Sequence, residues 1–316
     1  MVTSIKTKSV KQKKTLFKSI ADELKSNKEL YILAIPVLAF YLIFLYGPMF
    51  GIMIAFKDYN IGQGFFASKW VGLKYFKEYF GSIYFLRTLS NTFIISLMDI
   101  IFGFPFPIIF ALMLNEIKGQ WFKKTVQTAS YLPHFISTVV ICGMIMDFFG
   151  TDGLITNILC KFTGENMNYI GSAKYFRSIF VGTNVWQSFG WGSIIYIAAL
   201  AGVDAELYEA ATIDGAGRWK QLWNVTIPGI LPTIMVMLTL KLGNVLSVGY
   251  EKVILLYSPQ TYEVADVISS YTFRSGISGA RYSYSTAVGL FQSVVNITIL
   301  FIANHLSAKF TDTALL

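Results

Sequence analysis

Few side chains in this sequence could carry acid–base, metal or redox chemistry. The 316 residues include two histidines, His134 and His305, and two cysteines, Cys142 and Cys160. Neither histidine has a second ligand at the spacing of a zinc site, and neither lies beside a nucleophile in an elbow motif. The cysteines lie in different settings and define no disulfide framework. These residues predict no catalytic centre and no metal site.

The chain also lacks a motif for nucleotide chemistry. A Gly-x-x-x-x-Gly-Lys-Ser/Thr loop, whose backbone amides would cradle phosphate groups, does not occur in the sequence. We therefore expect no cofactor bound by this chain, and any ATP hydrolysis would require another protein.

Two ionisable residues, Asp99 and Lys241, lie within otherwise apolar stretches. Charges at membrane depth are costly, so they usually pair with one another or mark a functional site. In one interpretation the two residues pair across two helices and have a structural role. In the other they bind the coupling ion of a secondary transporter.

The elements that must position these groups are long apolar helices. Hydrophobic residues make up 54% of the chain and charged residues only 14%, whereas an average soluble domain is about 25% charged. About 20 apolar residues in a helix cross the hydrocarbon layer, and a helix satisfies its own backbone there. The sequence predicts an all-α, polytopic membrane protein with six transmembrane helices, at about 30–56, 84–114, 125–149, 178–201, 228–249 and 285–306.

The orientation follows from positive charge, which marks the cytoplasmic side of a membrane protein. Eight lysines fall within the first 28 residues, so residues 1–29 are predicted to form a basic cytoplasmic arm. Six spans then place both termini and the connections 115–124 and 202–227 in the cytoplasm. The connections at about 57–83, 150–177 and 250–284 would lie outside.

The basic arm has an apolar side as well. Leu16, Phe17, Ile20 and Leu24 would share one face of a helix whose other face carries lysines, which is typical of an interfacial amphipathic helix. A disordered basic tail is the alternative.

The connection 202–227 contains the most informative segment. Asp204 can cap a helix, and Gly215 and Gly217 permit a tight turn. A second short helix from Arg218 to Asn224 is predicted next, and Pro228 suits the first turn of a span. Small side chains flanked by charges indicate a surface on which another protein docks. An ordinary interfacial loop is the alternative.

The same segment resembles a known family. Glu209-Ala210-Ala211, three residues, Gly215, nine residues and Val225-Thr226-Ile227-Pro228 resemble the EAA motif of permease subunits in binding-protein-dependent ABC importers. The usual Ile-x-Leu-Pro ending is Val-x-Ile-Pro here. Residues 45–60 and 70–76 are similar to the carbohydrate-uptake branch, particularly to permeases for oligo- and polysaccharides.

This resemblance implies a function and a set of partners. Residues 30–316 would form the transmembrane domain of an importer in a bacterial cytoplasmic (inner) membrane, carrying an oligosaccharide or polysaccharide fragment inward. Its partners would be a second homologous permease, two ATPase subunits that hold ATP and Mg²⁺, and an extracytoplasmic solute-binding protein at the external loops. The residues that couple the chain to the ATPases would be Glu209, Ala210, Ala211, Asp214, Gly215 and Ala216.

A polar face on the fourth span is the predicted substrate pathway. Asn184, Gln187, Ser188 and Trp191 follow the i, i+3, i+4, i+7 spacing of one helix face, which lipid would not favour. They resemble the positions that line the sugar site of maltose-type permeases, with Asn244 and Ser247 as the matching residues on the fifth span. Alternatively, these side chains join helices by hydrogen bonds, or the main substrate site lies on the partner permease. A purely structural membrane protein would be expected to lack such a face.

Overall fold

A computed structural model describes residues 27–164 and 166–311. The predicted amphipathic face of the basic arm lies outside these residues. The described chain divides into two units, one ending at Met53 and one beginning at Ile54.

Most of the described residues are helical. In chain order the elements are α1 (Lys28–Phe56), β1 (Lys57–Asp58), α2 (Gly64–Ala67), β2 (Lys69–Trp70), α3 (Lys74–Phe80), α4 (Ile83–Glu116), α5 (Gln120–Tyr131), α6 (Thr138–Phe149), α7 (Leu154–Thr163), α8 (Ala173–Ala201), α9 (Ala205–Ile213), α10 (Arg218–Gly243), α11 (Tyr250–Leu256), α12 (Tyr262–Ala265), α13 (Ile268–Phe273) and α14 (Tyr282–Thr311). The two short strands pair antiparallel, with Lys57 opposite Trp70.

Five helical segments in the described part of the chain are long and apolar enough to cross a membrane. They are Lys28–Phe56, Ile83–Glu116, Thr138–Phe162, Arg218–Gly243 and Tyr282–Lys309. A sixth candidate is the pair α8 and α9, which is bent by 68°. The predicted fold class, an all-α polytopic membrane protein, is confirmed.

The third span differs from its predicted bounds of 125–149. The helix α5 ends at Tyr131, and a 3-10 turn, Leu132–Phe135, separates it from α6. Pro133 lies in this turn and lacks the N–H that a continuing helix would use. Ser137 then caps α6, accepting a hydrogen bond from the Val140 amide. The candidate span therefore begins at Thr138, and α6 and α7 form it together.

The predicted fifth span, 228–249, is too long at its carboxyl end. The helix α10 ends at Gly243, and Asn244 leaves the helical conformation. Residues 244–246 form a turn, and residues 247–249 have no regular secondary structure before α11 begins. The predicted second short helix, by contrast, is not separate, because Arg218 begins a helical segment that continues through Pro228 into the span.

The helix α8 is the central element of the larger unit. Its buried residues Phe176, Phe180 and Val181 pack in an apolar cluster with Ile95 of α4 and Ile141 of α6. Further along, Tyr196 and Leu200 pack with Ala111 of α4 and Ile230 of α10. Gly190 marks the closest approach to α5, since a Cβ there would collide with the carbonyl of Ser130.

Candidate functional site: a polar cavity and an exposed loop

The helices α4, α8 and α10 surround a cavity of about 500 Å³. Asn184 and Ser188 of α8 line it one helical turn apart, and Gly192 and Tyr196 continue the same ridge. Asn244 and Ser247, which follow α10, line it from the other side. The structure therefore brings four of the six predicted pathway residues together.

The other two predicted pathway residues do not line this cavity. Trp191 stacks on His134, with ring centroids 4.7 Å apart and planes 3° from parallel, and it meets Phe135 edge-on. It therefore packs against the 3-10 turn after α5. Gln187 is half-buried and does not line the cavity. The residues of α8 that line the cavity are spaced four apart along one face of the helix, and Gln187 lies beside that face.

Asn244 and Ser247 lie in an unwound segment and not on a helix as predicted. Non-helical backbone at membrane depth requires partners for its polar groups, and neighbouring side chains provide them. The Leu246 amide donates to Asn296 Oδ1 at 3.0 Å, and Gln292 Nε2 donates to the Leu246 carbonyl at 2.8 Å. Ser96 donates to the Val245 carbonyl. The turn is thereby held between α4 and α14.

An ion pair crosses the cavity wall. Lys241 Nζ lies 2.8 Å from Asp99 Oδ2, joining α10 to α4, and both side chains are about 30% exposed. Asp99 begins a π-helical turn, Asp99–Gly103, a feature that often occurs at functional sites. A Cβ at Gly103 would lie 2.8 Å from Asp99 Oδ1, so glycine leaves room for the carboxylate.

A second cation, Lys252 of α11, lies at the edge of the cavity. Its ammonium donates to Asn184 Oδ1 at 2.6 Å and lies 5.6 Å from the centre of the Phe180 ring. Only 7% of the side chain is exposed. Burial lowers the pKa of Lys252 to about 8, because removal from water disfavours the charged form.

The loop between α8 and α10 is a helix and a tight turn. Asp204 Oδ1 accepts a hydrogen bond from the Glu206 amide at 2.9 Å, which is the predicted cap of α9. The helix ends in a turn in which Gly215 has φ +76°, a conformation that side chains with a Cβ disfavour. The Ala216 amide closes the turn by donating to the Ala211 carbonyl at 2.8 Å.

Three hydrogen bonds, donated by the side chains of Tyr208 and Gln221, connect α9 and the turn after it to the start of α10. Tyr208 donates to Thr226 Oγ1 at 3.0 Å, and Gln221 donates to Thr212 Oγ1 at 2.9 Å and to the Ala216 carbonyl at 3.2 Å. The outer surface of the loop is open to solvent. Glu209, Ala210, Asp214 and Gly215 are exposed, and Ala211 and Ala216 are half-buried.

Sequence reasoning missed several residues of the cavity. Ser96, Gln292 and Asn296, which support the turn, are polar residues in apolar helices, and that contrast was the available signal. Lys252 lies outside every predicted span, so its burial had no signal in the local sequence. Asp99 and Lys241 were recognised, but not as neighbours of Asn184 and Asn244.

Fold and site together define a polytopic helical membrane protein with a polar cavity and an exposed loop between spanning elements. The family of binding-protein-dependent transport system inner membrane components matches residues 103–312, and the chain belongs to this family. It is thus a permease subunit of an ABC importer and a multi-pass protein of the inner membrane. The family does not support the alternative of an ion-coupled secondary transporter using Asp99 and Lys241.

Two relatives from Bacillus subtilis (strain 168) match nearly the whole chain. Protein LplB is 44% identical over 293 residues, which cover 92% of each chain. The polygalacturonan/rhamnogalacturonan transport system permease protein YteP is 39% identical over 312 residues, covering 98% of this chain and 96% of its own.

A solved structure is similar as well. One chain of a bacterial ABC transporter involved in the import of the acidic polysaccharide alginate is 40% identical, with a TM-score of 0.85, and the match covers 93% of this chain and 99% of that one. One chain of a bacterial alginate ABC transporter in complex with an alginate pentasaccharide-bound periplasmic protein is 41% identical, with a TM-score of 0.85.

Proposed function

We propose that this permease imports a carbohydrate, an oligosaccharide or polysaccharide fragment, and that the loop 202–227 couples it to ATP hydrolysis on separate ATPase subunits. The single observation that best supports the coupling role is that α9 has an exposed surface and is joined to a spanning element at each end. The substrate class is supported by the names of the relatives and by the amide and hydroxyl groups of the cavity.

The geometry of the loop suits force transmission. The helix α9 is joined to α8 through a short bend and to α10 through the turn at Gly215. The bonds from Tyr208 and Gln221 fasten the loop to the beginning of α10. A push on α9 would therefore move both α8 and α10, which line the cavity.

The docking surface consists of small residues and charges. Ala210 and Gly215 leave room for a partner's side chains, and exposed Glu209 is available to a basic residue of the ATPase. No acidic or basic residue within the described chain forms an ion pair with Glu209 or Asp214, the two carboxylates of this surface. Charge complementarity with a partner is thus available without first breaking an internal pair.

The complete transporter would contain further subunits. A second, homologous permease would share the pathway, two ATPase subunits would bind ATP and Mg²⁺ and dock at the loop 202–227, and a solute-binding protein would deliver the saccharide at the external connections. Both termini of this chain would lie in the cytoplasm. The residues 1–29 would form a basic arm there, and residues 30–316 the transmembrane domain.

Within the chain, the saccharide would pass Asn184, Ser188, Asn244 and Ser247. Their amide and hydroxyl groups suit sugar hydroxyls, which both donate and accept hydrogen bonds.

The test is saccharide uptake into proteoliposomes that contain the assembled transporter, with its binding protein and ATP. We expect uptake by the unmodified transporter, and loss of both uptake and binding-protein-stimulated ATPase activity in Gly215→Glu, because the added carboxylate would block docking. Glu209→Lys should weaken binding of the ATPase subunits. Gly217→Ala is the control, since Gly217 has an ordinary φ of −70° and no neighbouring atom within 4 Å of an added Cβ. Undiminished uptake and ATPase stimulation in Gly215→Glu would refute the coupling role.

A further inference from the structure

We propose that the saccharide is anionic and that Lys252 binds one of its carboxylates at the edge of the cavity. This inference rests on the proposed function, because it names the chemistry of the saccharide that the permease would carry.

The first observation is that Lys252 is a buried cation without an anionic partner. It is 7% exposed, and in the described ranges, 27–164 and 166–311, no carboxylate forms an ion pair with it. Within the described residues its ammonium donates one hydrogen bond, to the neutral Asn184 amide, although an ammonium has three donors. A buried charge is costly unless it is paired, so an anion bound beside the Lys252 ammonium would stabilise it.

A second buried lysine shows the usual arrangement. Lys57 is 8% exposed, but its ammonium donates to two backbone carbonyls, those of Phe65 and Phe66, at 3.1 and 3.0 Å. Its donors are thus better satisfied than those of Lys252. Burial alone therefore does not account for the unpaired state of Lys252.

The second observation is the position of Lys252 beside the cavity. The ammonium contacts Asn184 and faces the ring of Phe180, and both of these residues line the cavity. Val248 and Gly249, which precede α11, line it as well. A carboxylate on a saccharide beside Asn184 would therefore be within reach of Lys252. It would form a charge-assisted hydrogen bond, about twice as strong as a neutral one.

The third observation is the charge balance around the cavity. Asp99 and Lys241 neutralise each other across 2.8 Å, so the charge of Lys252 is left over. The three groups sum to one positive charge, from two lysines and one aspartate. A neutral sugar would not use this excess, whereas a uronate would compensate it.

Binding would exchange one partner for another without breaking a covalent bond. The saccharide carboxylate would replace Asn184 Oδ1 as the acceptor of the Lys252 ammonium. The Asn184 amide would then be free to hydrogen-bond sugar hydroxyls. Lys252 is thus a specificity residue, and Asn184 changes from its partner to a ligand of the sugar.

The binding test compares two matched saccharides with the assembled permease–ATPase complex in nanodiscs, without binding protein. The probes are a galacturonate trisaccharide and the same trisaccharide with its carboxyl groups reduced to alcohols. We expect Lys252→Gln to weaken binding of the acidic probe about tenfold, which corresponds to about 1.4 kcal/mol, and to leave the reduced probe unchanged. The control Lys77→Gln removes an exposed positive charge of α3 and should alter neither affinity.

A second measurement uses the unmodified chain, so it does not depend on the folding of a variant. Because the pKa of Lys252 is about 8, the protonated fraction falls about tenfold between about pH 7 and about pH 9. Affinity for the acidic probe should fall with it, and Lys252→Arg should abolish this dependence because arginine stays charged. The titratable groups that act on Lys252 from other elements are Cys142 of α6 and Asp99 of α4. Cys142→Ser, which removes the thiol, should still show a fall in affinity as the pH rises, because Lys252 remains as the titrating group.

The outcomes separate this inference from the proposed function. Equal affinity of the unmodified complex for both probes, or an equal loss for both in Lys252→Gln, would overturn the inference. So would ATP-dependent uptake of the reduced trisaccharide or another neutral saccharide without binding of the acidic one, although the importer function would then stand. Absence of ATP-dependent uptake for every saccharide, acidic or neutral, would instead contradict the proposed function.

Discussion

Tyr208 donates a hydrogen bond to Thr226 Oγ1 across 3.0 Å, and this bond joins α9 to the first turns of α10. Thr226 is buried, whereas most of the loop around it is exposed. The bond is therefore partly shielded from water at a place where a partner protein would press on the chain. It makes α9 and the base of α10 move together.

Removing this hydrogen bond should reduce the efficiency of coupling. Tyr208→Phe deletes the donor and leaves the ring, at a cost of about 1 kcal/mol. We expect ATP hydrolysis to continue while the number of saccharides imported per ATP falls. The measurement is the ratio of uptake to phosphate release in proteoliposomes.

The control for Tyr208→Phe is Thr226→Val, which removes the acceptor. If the bond is the cause, the double variant should be no worse than either single variant, since the interaction can be lost only once. Additive losses in the double variant would show that the two side chains act separately.

Gly215 and Gly217 form a matched pair for testing the turn. Gly215→Ala places a Cβ on a residue with φ +76°, which costs about 1 kcal/mol, whereas Gly217 has φ −70°. Neither added methyl meets another atom within 4 Å, so backbone strain is the only difference. We expect lower uptake and weaker co-purification of the ATPase subunits in Gly215→Ala than in Gly217→Ala. Equal behaviour of the two variants would show that the turn tolerates either geometry.

The pair of Asp99 and Lys241 should stabilise the fold without supplying energy for transport. Lys241→Met leaves a half-buried carboxylate unpaired, and we expect a loss of about 1–3 kcal/mol, seen as a lower melting temperature in detergent. Adding Asp99→Leu should recover most of that loss, because no unpaired charge then remains.

An exposed ion pair provides the comparison. Lys74 and Asp58 lie 3.6 Å apart and are both more than half exposed, so Lys74→Met should cost no more than about 1 kcal/mol. ATP-driven uptake in the absence of any ion gradient should persist in the Asp99→Leu, Lys241→Met double variant. If uptake by the unmodified protein required an ion gradient, ATP would not be the only energy source.

The contact of α8 with α5 should be intolerant of side chains. Gly190→Ala would place a Cβ against the Ser130 carbonyl, and such overpacking costs about 1–3 kcal/mol or more. Gly182→Ala, on the same helix, meets no atom within 4 Å and should be neutral within this chain. Thermal unfolding of the two variants side by side measures the difference.

Local features of the coupling loop could be predicted from its sequence. Asp204 caps α9 and Gly215 takes the strained turn conformation because both effects act over a few residues, and each has a characteristic residue type. The class of fold was predictable for a similar reason. Apolar runs of sufficient length have few alternatives to a spanning helix.

The substrate cavity depended on contacts that are distant in sequence. The end of α10 at Gly243 requires Ser96, Gln292 and Asn296 to satisfy the unwound backbone, and no local signal reveals that these side chains meet it. Helical spacing alone placed Gln187 and Trp191 with Asn184, whereas the packing of His134 determined where the Trp191 ring lies. Lys252 required the fold to bring α11 against α8.

If α8 turns as a rigid rod during transport, its close approach to α5 at Gly190 is the point about which it would turn. About 12 residues, or roughly 18 Å, separate Gly190 from the bend at Gly202, and about 6 residues, or roughly 9 Å, separate it from Asn184. A rigid rod that turns about this point moves its two arms in opposite directions, and the shorter arm moves about half as far. An inward displacement at the loop would thus become a smaller, outward displacement at the saccharide, with greater force.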